Sequence, residues 1–174
     1  MALGMVAIPT LETDRLILSA PSRESFPESV AMWSDPVVVK GIGGVPFTRE
    51  ETWNRLLRYM GHWALLGFGS WVIRDKAGEF VGECGFFELE RDVTPKLDVP
   101  EVGWVLARTA HGKGYATEAV SAVLAWGEQH FAGKPFSCMI DVDNAASHRV
   151  AAKTGFAEVA RTTYKGAAVF LYRR

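Results

Sequence analysis

The stretch Val102–Val120, VGWVLARTAHGKGYATEAV, decides how the chain is to be read. Its first half alternates: Val102, Trp104 and Leu106 share one face of a strand over Glu101–Ala107, and Glu101, Gly103, Val105 and Ala107 share the other. From Tyr115 the period becomes helical, with Ala116, Ala119, Val120, Val123, Leu124 and Gly127 on one stripe and Thr117, Glu118, Ser121 and Glu128 opposite. Between the two lies His111-Gly112-Lys113-Gly114. A strand, a glycine loop and a helix N-terminus in succession favour an anion, because the first helical amides lack acceptors and the helix dipole is positive there. Glycines also let backbone approach phosphate oxygens closely. Two nucleotide readings fail on spacing. A Walker loop needs GxxxxGK followed by Ser or Thr, and Gly114 follows Lys113; a dinucleotide GxGxxG needs glycine where Thr117 stands. At this point a simple strand-to-helix turn and an anion site both stand.

Outward from this stretch, Arg15–Ser19 reads as a strand stopped by Pro21, with Ser22 as N-cap of a helix reaching Trp33. Asp35–Thr48 is a loop punctuated by Pro and Gly. Thr48 and Glu51 form a capping box for a second helix, with Trp53, Leu56, Leu57 and Met60 at helical spacing and an end near Gly67. Two strands follow about a turn at Asp75–Gly78, then a polar loop, Arg91–Pro100, before the strand at Glu101. Gly133 and Pro135 stop the long helix. FSCMIDVD is another strand, Asn144 caps a short helix ending at Gly155, and the tail forms two strands joined at Lys165-Gly166. The order is β-α-α-β-β-β-α-β-α-β-β, a mixed α/β sheet of about seven strands with four helices, without internal repeat or linker.

Composition bounds the function. The 174 residues suit one domain, and 48% hydrophobic with 22% charged residues is ordinary for a globular protein. A net charge of -1 with no Lys/Arg run argues against nucleic acid as partner. Cys84 and Cys138 lie in apolar strand segments without ligand spacing, which reads as buried reduced thiols and no metal. The opening MALGMVAIP lacks a basic n-region and makes a poor signal peptide, and the apolar run Trp63–Ile73 is too short to span a bilayer. A cytoplasmic protein with no membrane association is expected, as a monomer or homodimer.

Four segments together carry a resemblance. His111–Ala116 resembles the (Q/R)xxGx(G/A) motif of the GNAT superfamily of acetyltransferases, and GKGYATEA is similar to the form in its ribosomal-protein-alanine N-acetyltransferase branch. LETDRLIL (Leu11–Leu18) resembles that branch's TERLxLR opening, PEVGWVLA its EIGYWL strand, and NAASHRVAAKTGF (Asn144–Phe156) its NxxSxxxxxKxGF segment. They occur in the family's order and spacing and span nearly the whole chain.

The resemblance implies a GNAT-like, largely antiparallel sheet and acetyl-CoA as co-substrate. The amides of Gly112, Gly114, Ala116 and Thr117, within the loop His111–Thr117 that includes Lys113 and Tyr115, would take the pyrophosphate. Lys113 would reach the adenosine phosphates or remain solvated. Pantetheine would pair with the backbone of Val105, Leu106 and Ala107, from which an inward N–H would stabilise the oxyanion, and Asn144 would bind the arm besides capping its helix. His111 departs from the family's Gln, Arg or Trp.

For chemistry, an amine with an unperturbed pKa of about 10.4 must lose a proton. The resemblance assigns this to Glu101, directly or through water, which otherwise reads as an exposed carboxylate after Pro100. Many GNAT enzymes protonate the leaving thiolate with a tyrosine at the position of Ala151. In the branch resembled, the serine is the donor, so Ser147 inherits that role or is a polar residue in a helical turn. Tyr164 is a candidate lining residue of the acceptor site. The expected activity is direct transfer of acetyl to a primary amine, a small molecule or a protein N-terminus. The alternative is a non-catalytic acyl-CoA-binding module on the same fold.

Overall fold

Alternating strand segments joined by short turns build one sheet of eight strands. The structure, a computed structural model, describes residues 6–174, so the start of the MALGMVAIP opening lies outside the described residues. The strands are β1 (Leu11–Glu12), β2 (Leu16–Ser19), β3 (Ser70–Asp75), β4 (Phe80–Phe87), β5 (Glu101–Leu106), β6 (Ser137–Asp141), β7 (Ala157–Tyr164) and β8 (Ala167–Arg173), in the order β1-β2-β3-β4-β5-β6-β8-β7. Every neighbouring pair is antiparallel except β5 and β6. The helices are α1 (Phe26–Trp33), α2 (Pro36–Val39), α3 (Arg49–Leu66), α4 (Tyr115–His130) and α5 (Ala145–Lys153).

The expected mixed, largely antiparallel sheet is present, with one strand and one helix more than expected. The extra helix, α2, lies in the segment read as loop. Asp35 caps it by accepting from the Val37 N–H at 2.8 Å, and Pro36 supplies its first turn. The extra strand, β1, is two residues held by pairing to β2. Ser22 is not the cap of α1. That helix begins at Phe26, and the Ser25 hydroxyl turns back to the Ser22 carbonyl. Elsewhere local signals hold: Thr48 and Glu51 exchange both bonds of the capping box, Gly67 ends α3 in the left-handed conformation, and Asp75 accepts from the N–H of Ala77 and of Glu79 across its turn.

Alternation along β4 and β5 gives the sheet two unlike faces. Cys84, Phe86, Val102 and Leu106 pack against Ala119, Val120, Val123 and Leu124 of α4. Trp63, Trp71 and Trp126 meet there edge to face, with centroids 4.8 to 5.7 Å apart, an arrangement that contributes beyond area burial. The other face carries Glu83 opposite Val105, Gly85 opposite Gly103, and Phe87 opposite Glu101. No helix among the described residues is long and apolar enough to cross a membrane.

Candidate active site

Where β5 meets β6 the sheet splits. The two strands register only at Glu101 and Ser137, where the Ser137 N–H donates to the Pro100 carbonyl at 3.0 Å. Beyond this point β5 has an open edge. Ala107 donates to the Val81 carbonyl at 2.9 Å, so its N–H belongs to the ladder with β4. Antiparallel alternation puts Val105 and Gly103 on the β4 side too, and turns the N–H and C=O of Val102, Trp104 and Leu106 to the open edge. Of the strand residues expected to meet pantetheine, Leu106 alone presents its backbone there. Val105 and Ala107 do not, and Trp104, which the sequence reading did not name, does. The alternation needed to find it was visible, but which edge pairs with β4 was not.

At the end of β5 a single 3-10 turn, Arg108–Ala110, leads into the glycine loop. Gly112 and Gly114 have φ of 75° and 78°, a region costly for residues with a Cβ. Their conformation leaves the N–H groups of Gly112, Lys113, Gly114, Tyr115, Ala116 and Thr117 without an acceptor among the described residues, and the Glu118 N–H is the first to enter α4, on the Gly114 carbonyl. A row of free amides at a positive helix end is suited to receive an anion. His111 is turned away from this row, with Nε2 2.9 Å from the Leu106 carbonyl. It therefore ties the loop to the open strand edge.

A second group braces the loop. Arg15 donates through Nη1 to the Lys113 carbonyl at 2.8 Å, pairs with Glu118 at 2.6 Å, and lies over the Tyr115 ring. Thr13 adds a 2.6 Å bond to Glu118. Burial opposes ionisation of Glu118, but the bonds from Thr13 and Arg15 outweigh it and hold the carboxyl below its usual range. Arg15 was read only as the start of a strand; the tie needs a contact between residues 98 apart. Lys113 extends over Tyr115, its ammonium 5.9 Å from the ring centroid.

A cavity of about 860 Å³ occupies the polar face beside the split. Glu101, Asn144, Ser147, Tyr164 and Val105 all line it, so the structure brings the candidate chemical groups together. Glu101 is not an exposed carboxylate. It is 7% exposed and takes both arms of Arg91, Nε at 2.7 Å and Nη2 at 2.9 Å. Burial works against the Arg91 charge, and the bonds to Glu101 more than offset it, raising its pKa. The Tyr164 ring packs 5.0 Å from the same guanidinium.

Asn144 caps α5 by accepting from the Ser147 N–H at 3.1 Å, and its Nδ2 donates to the Gly41 carbonyl at 3.0 Å. Both ends of the amide thus have protein partners, and the loop after α2 is pinned over the start of α5. The Ser147 hydroxyl has no protein partner among the described residues and faces the cavity. Ala151 is fully buried in the core. Burial pushes the Cys84 and Cys138 thiols up, so neither is a ready nucleophile.

The sequence reading missed Glu83. It sits on the cavity floor, 4% exposed, and accepts from Ser29 Oγ at 2.7 Å, Trp33 Nε1 at 2.9 Å and Tyr59 Oη at 2.9 Å. Burial first, and the Glu83 charge second, push the Tyr59 hydroxyl up, so it stays a donor. A Glu in an apolar strand was the available signal, although its three partners come from two distant helices.

Comparison with known proteins agrees with this geometry. The family model described as acetyltransferase (GNAT) domain matches residues 15–157. The uncharacterized protein YkkB of Bacillus subtilis (strain 168) is 34% identical over 159 residues, 87% of each chain. A putative GnaT-family acetyltransferase from Bordetella pertussis superposes with a TM-score of 0.84 at 31% identity, covering 96% of this chain and 99% of its own. RimL, a ribosomal alpha-N-protein acetyltransferase solved in complex with coenzyme A, shares the fold at 18% identity, with a TM-score of 0.77 over 95% of this chain and 97% of its own. With the split sheet, the glycine loop and the family match in agreement, the chain belongs to the GNAT acetyltransferases.

Proposed function

We propose that the protein moves acetyl from acetyl-CoA to a primary amine in one step within a ternary complex. The observation that carries this reading is a continuous path. Free loop amides lead to the open edge at Leu106 and Trp104, and that edge borders a cavity holding Glu101 and Ser147. The coenzyme A bound to RimL, a protein of the same fold, supports the choice of ligand.

The loop amides of Gly112 to Thr117 take the pyrophosphate, and the pantetheine arm lies along the outward groups of Trp104 and Leu106 as an added strand. An ammonium acceptor first loses a proton toward Glu101, through a water held at the carboxylate lone pairs that Arg91 leaves open. The amine nitrogen attacks the thioester carbon, and the N–C bond forms. An outward N–H of β5 receives the developing oxyanion. The C–S bond breaks, Ser147 hands a proton to the leaving thiolate, and the second nitrogen proton returns to Ser147 as the amide forms. One acetylated amine, one coenzyme A thiol and one net proton result.

Isothermal titration with acetyl-CoA, followed by thiol release across an amine panel, tests this. Binding with amine-dependent release is expected. Binding without release from any amine would leave a non-catalytic acyl-CoA module, and no binding at millimolar acetyl-CoA would remove both readings.

A further inference from the structure

The cavity wall formed by α3 carries two arginines that acetyl transfer leaves without a task. Arg55 and Arg58 are three positions apart, hence on one side of the helix, and both line the cavity. The Arg55 guanidinium lies over two aromatic rings, 3.8 Å from the Trp33 centroid and 4.7 Å from that of Phe47. Its edges are nearly bare. Nη1 makes a single long contact of 3.4 Å to the Tyr59 hydroxyl, and the buried Nε has no acceptor. Neither arginine forms an ion pair among the described residues.

The acids nearby do not fill this gap. Glu83 already accepts from Ser29, Trp33 and Tyr59, and Glu101 is paired with Arg91. Glu88, on the rim, is exposed. Partial burial, and next the charge of Arg55, press the Arg58 guanidinium below its ordinary value, and the opposing charge of Glu101 does not offset them. Stacked guanidinium with free edges is the arrangement that receives planar oxyanions through paired N–H donors.

We propose that the acceptor amine carries an anionic group, a carboxylate or a phosphate, which Arg55 and Arg58 receive while the amine points to Glu101. The Arg58 end of this wall is the one near the pair of Arg91 and Glu101, whose charges act on its guanidinium, so an acceptor whose amine and anion are a few bonds apart suits that end. The proposal rests on the acetyl-transfer reading for the amine end only.

The test is steady-state thiol release with matched amines: tyrosine against tyramine for a carboxylate, and O-phosphoethanolamine against ethanolamine for a phosphate. The anionic member of at least one pair is expected to have a kcat/KM at least tenfold higher, and that pair identifies the group. In Arg55→Gln and Arg58→Gln the ratio should fall toward one through KM, with kcat at saturation and acetyl-CoA affinity unchanged. Equal or better use of the neutral member in both pairs, or a preference that survives both substitutions, overturns the proposal. Arg58→Gln, at an exposed position, guards against misfolding of the Arg55 variant. Calorimetry with the N-acetylated members of both pairs on protein saturated with coenzyme A gives a readout without turnover. Tighter binding of the anion in at least one pair, lost in the variants, supports the proposal even if transfer fails. Equal affinity, or none, in both pairs refutes it even if transfer occurs.

Discussion

The two faces of β4 and β5 come from the same residues taken alternately, yet they do opposite work. On one, Cys84, Phe86, Val102 and Leu106 close against α4 and leave no room. On the other, Glu83, Glu101 and Gly103 line a cavity edged by charges. The dry face gains from burial and dispersion, which are non-directional and collective. The wet face holds buried carboxylates only because each has named donors, and every donor comes from outside the sheet. The difference teaches that stability and chemistry here are separable by the parity of a residue.

Phe86→Ala breaks the dry face. Phe86 is fully buried, with the Phe131 and Phe136 centroids 5.0 and 4.9 Å away, so a loss of about 3–5 kcal/mol in urea unfolding is expected. The acetyl-CoA affinity of the folded fraction should stay within about twofold if the faces are separable. Glu101→Gln breaks the wet face, at a stability cost of about 1–3 kcal/mol because Arg91 loses its counter-charge. It should lower kcat for protonated amines by about 100-fold and remove the rising limb of the pH-rate profile. A profile that overlays the parent's denies Glu101 the role of base.

Gly114→Ala acts on the loop between the faces. Forcing a Cβ into a φ of 78° costs about 1–2 kcal/mol, and titration should show acetyl-CoA affinity falling by about tenfold as the amide row is displaced. Arg15→Ala removes a half-exposed brace. A stability change below about 1 kcal/mol is expected, with a rise of about two- to fivefold in KM for acetyl-CoA that shrinks in high salt.

The smallest effect is a pH dependence at Glu118. Its carboxyl is held below its usual range when folded. The stabilisation is therefore complete above the unfolded carboxylate value and is lost as pH falls through the lower folded one. Melting temperatures of the parent and Glu118→Gln should differ at neutral pH and converge in acid.

Much of this arrangement was legible beforehand. The capping box of Thr48 and Glu51, the cap at Asn144, the glycine turn and the alternation of β5 are short-range signals, and each reappears. The helix α2 was not legible, because three consecutive valines argue against a helix and the Asp35 cap and Pro36 are its only local support. The partner of Glu101 was hidden in a polar loop, ten residues back at Arg91. Nothing in the sequence singles out Arg55 and Arg58; the placement of Trp33 and Phe47 beneath the Arg55 guanidinium does.

By itself the sequence determined which residues share a strand face, where most of the helices begin, and that a glycine turn joins β5 to the amides at the start of α4. These follow from local dihedrals and periodicity, which neighbours in the chain fix. Tertiary structure alone decided which edge of β5 stays open, which carboxylates are paired and which arginines are left with free donors. Those properties depend on what packs against a group from far along the chain, and hydrogen-bond satisfaction is a sum over all such neighbours.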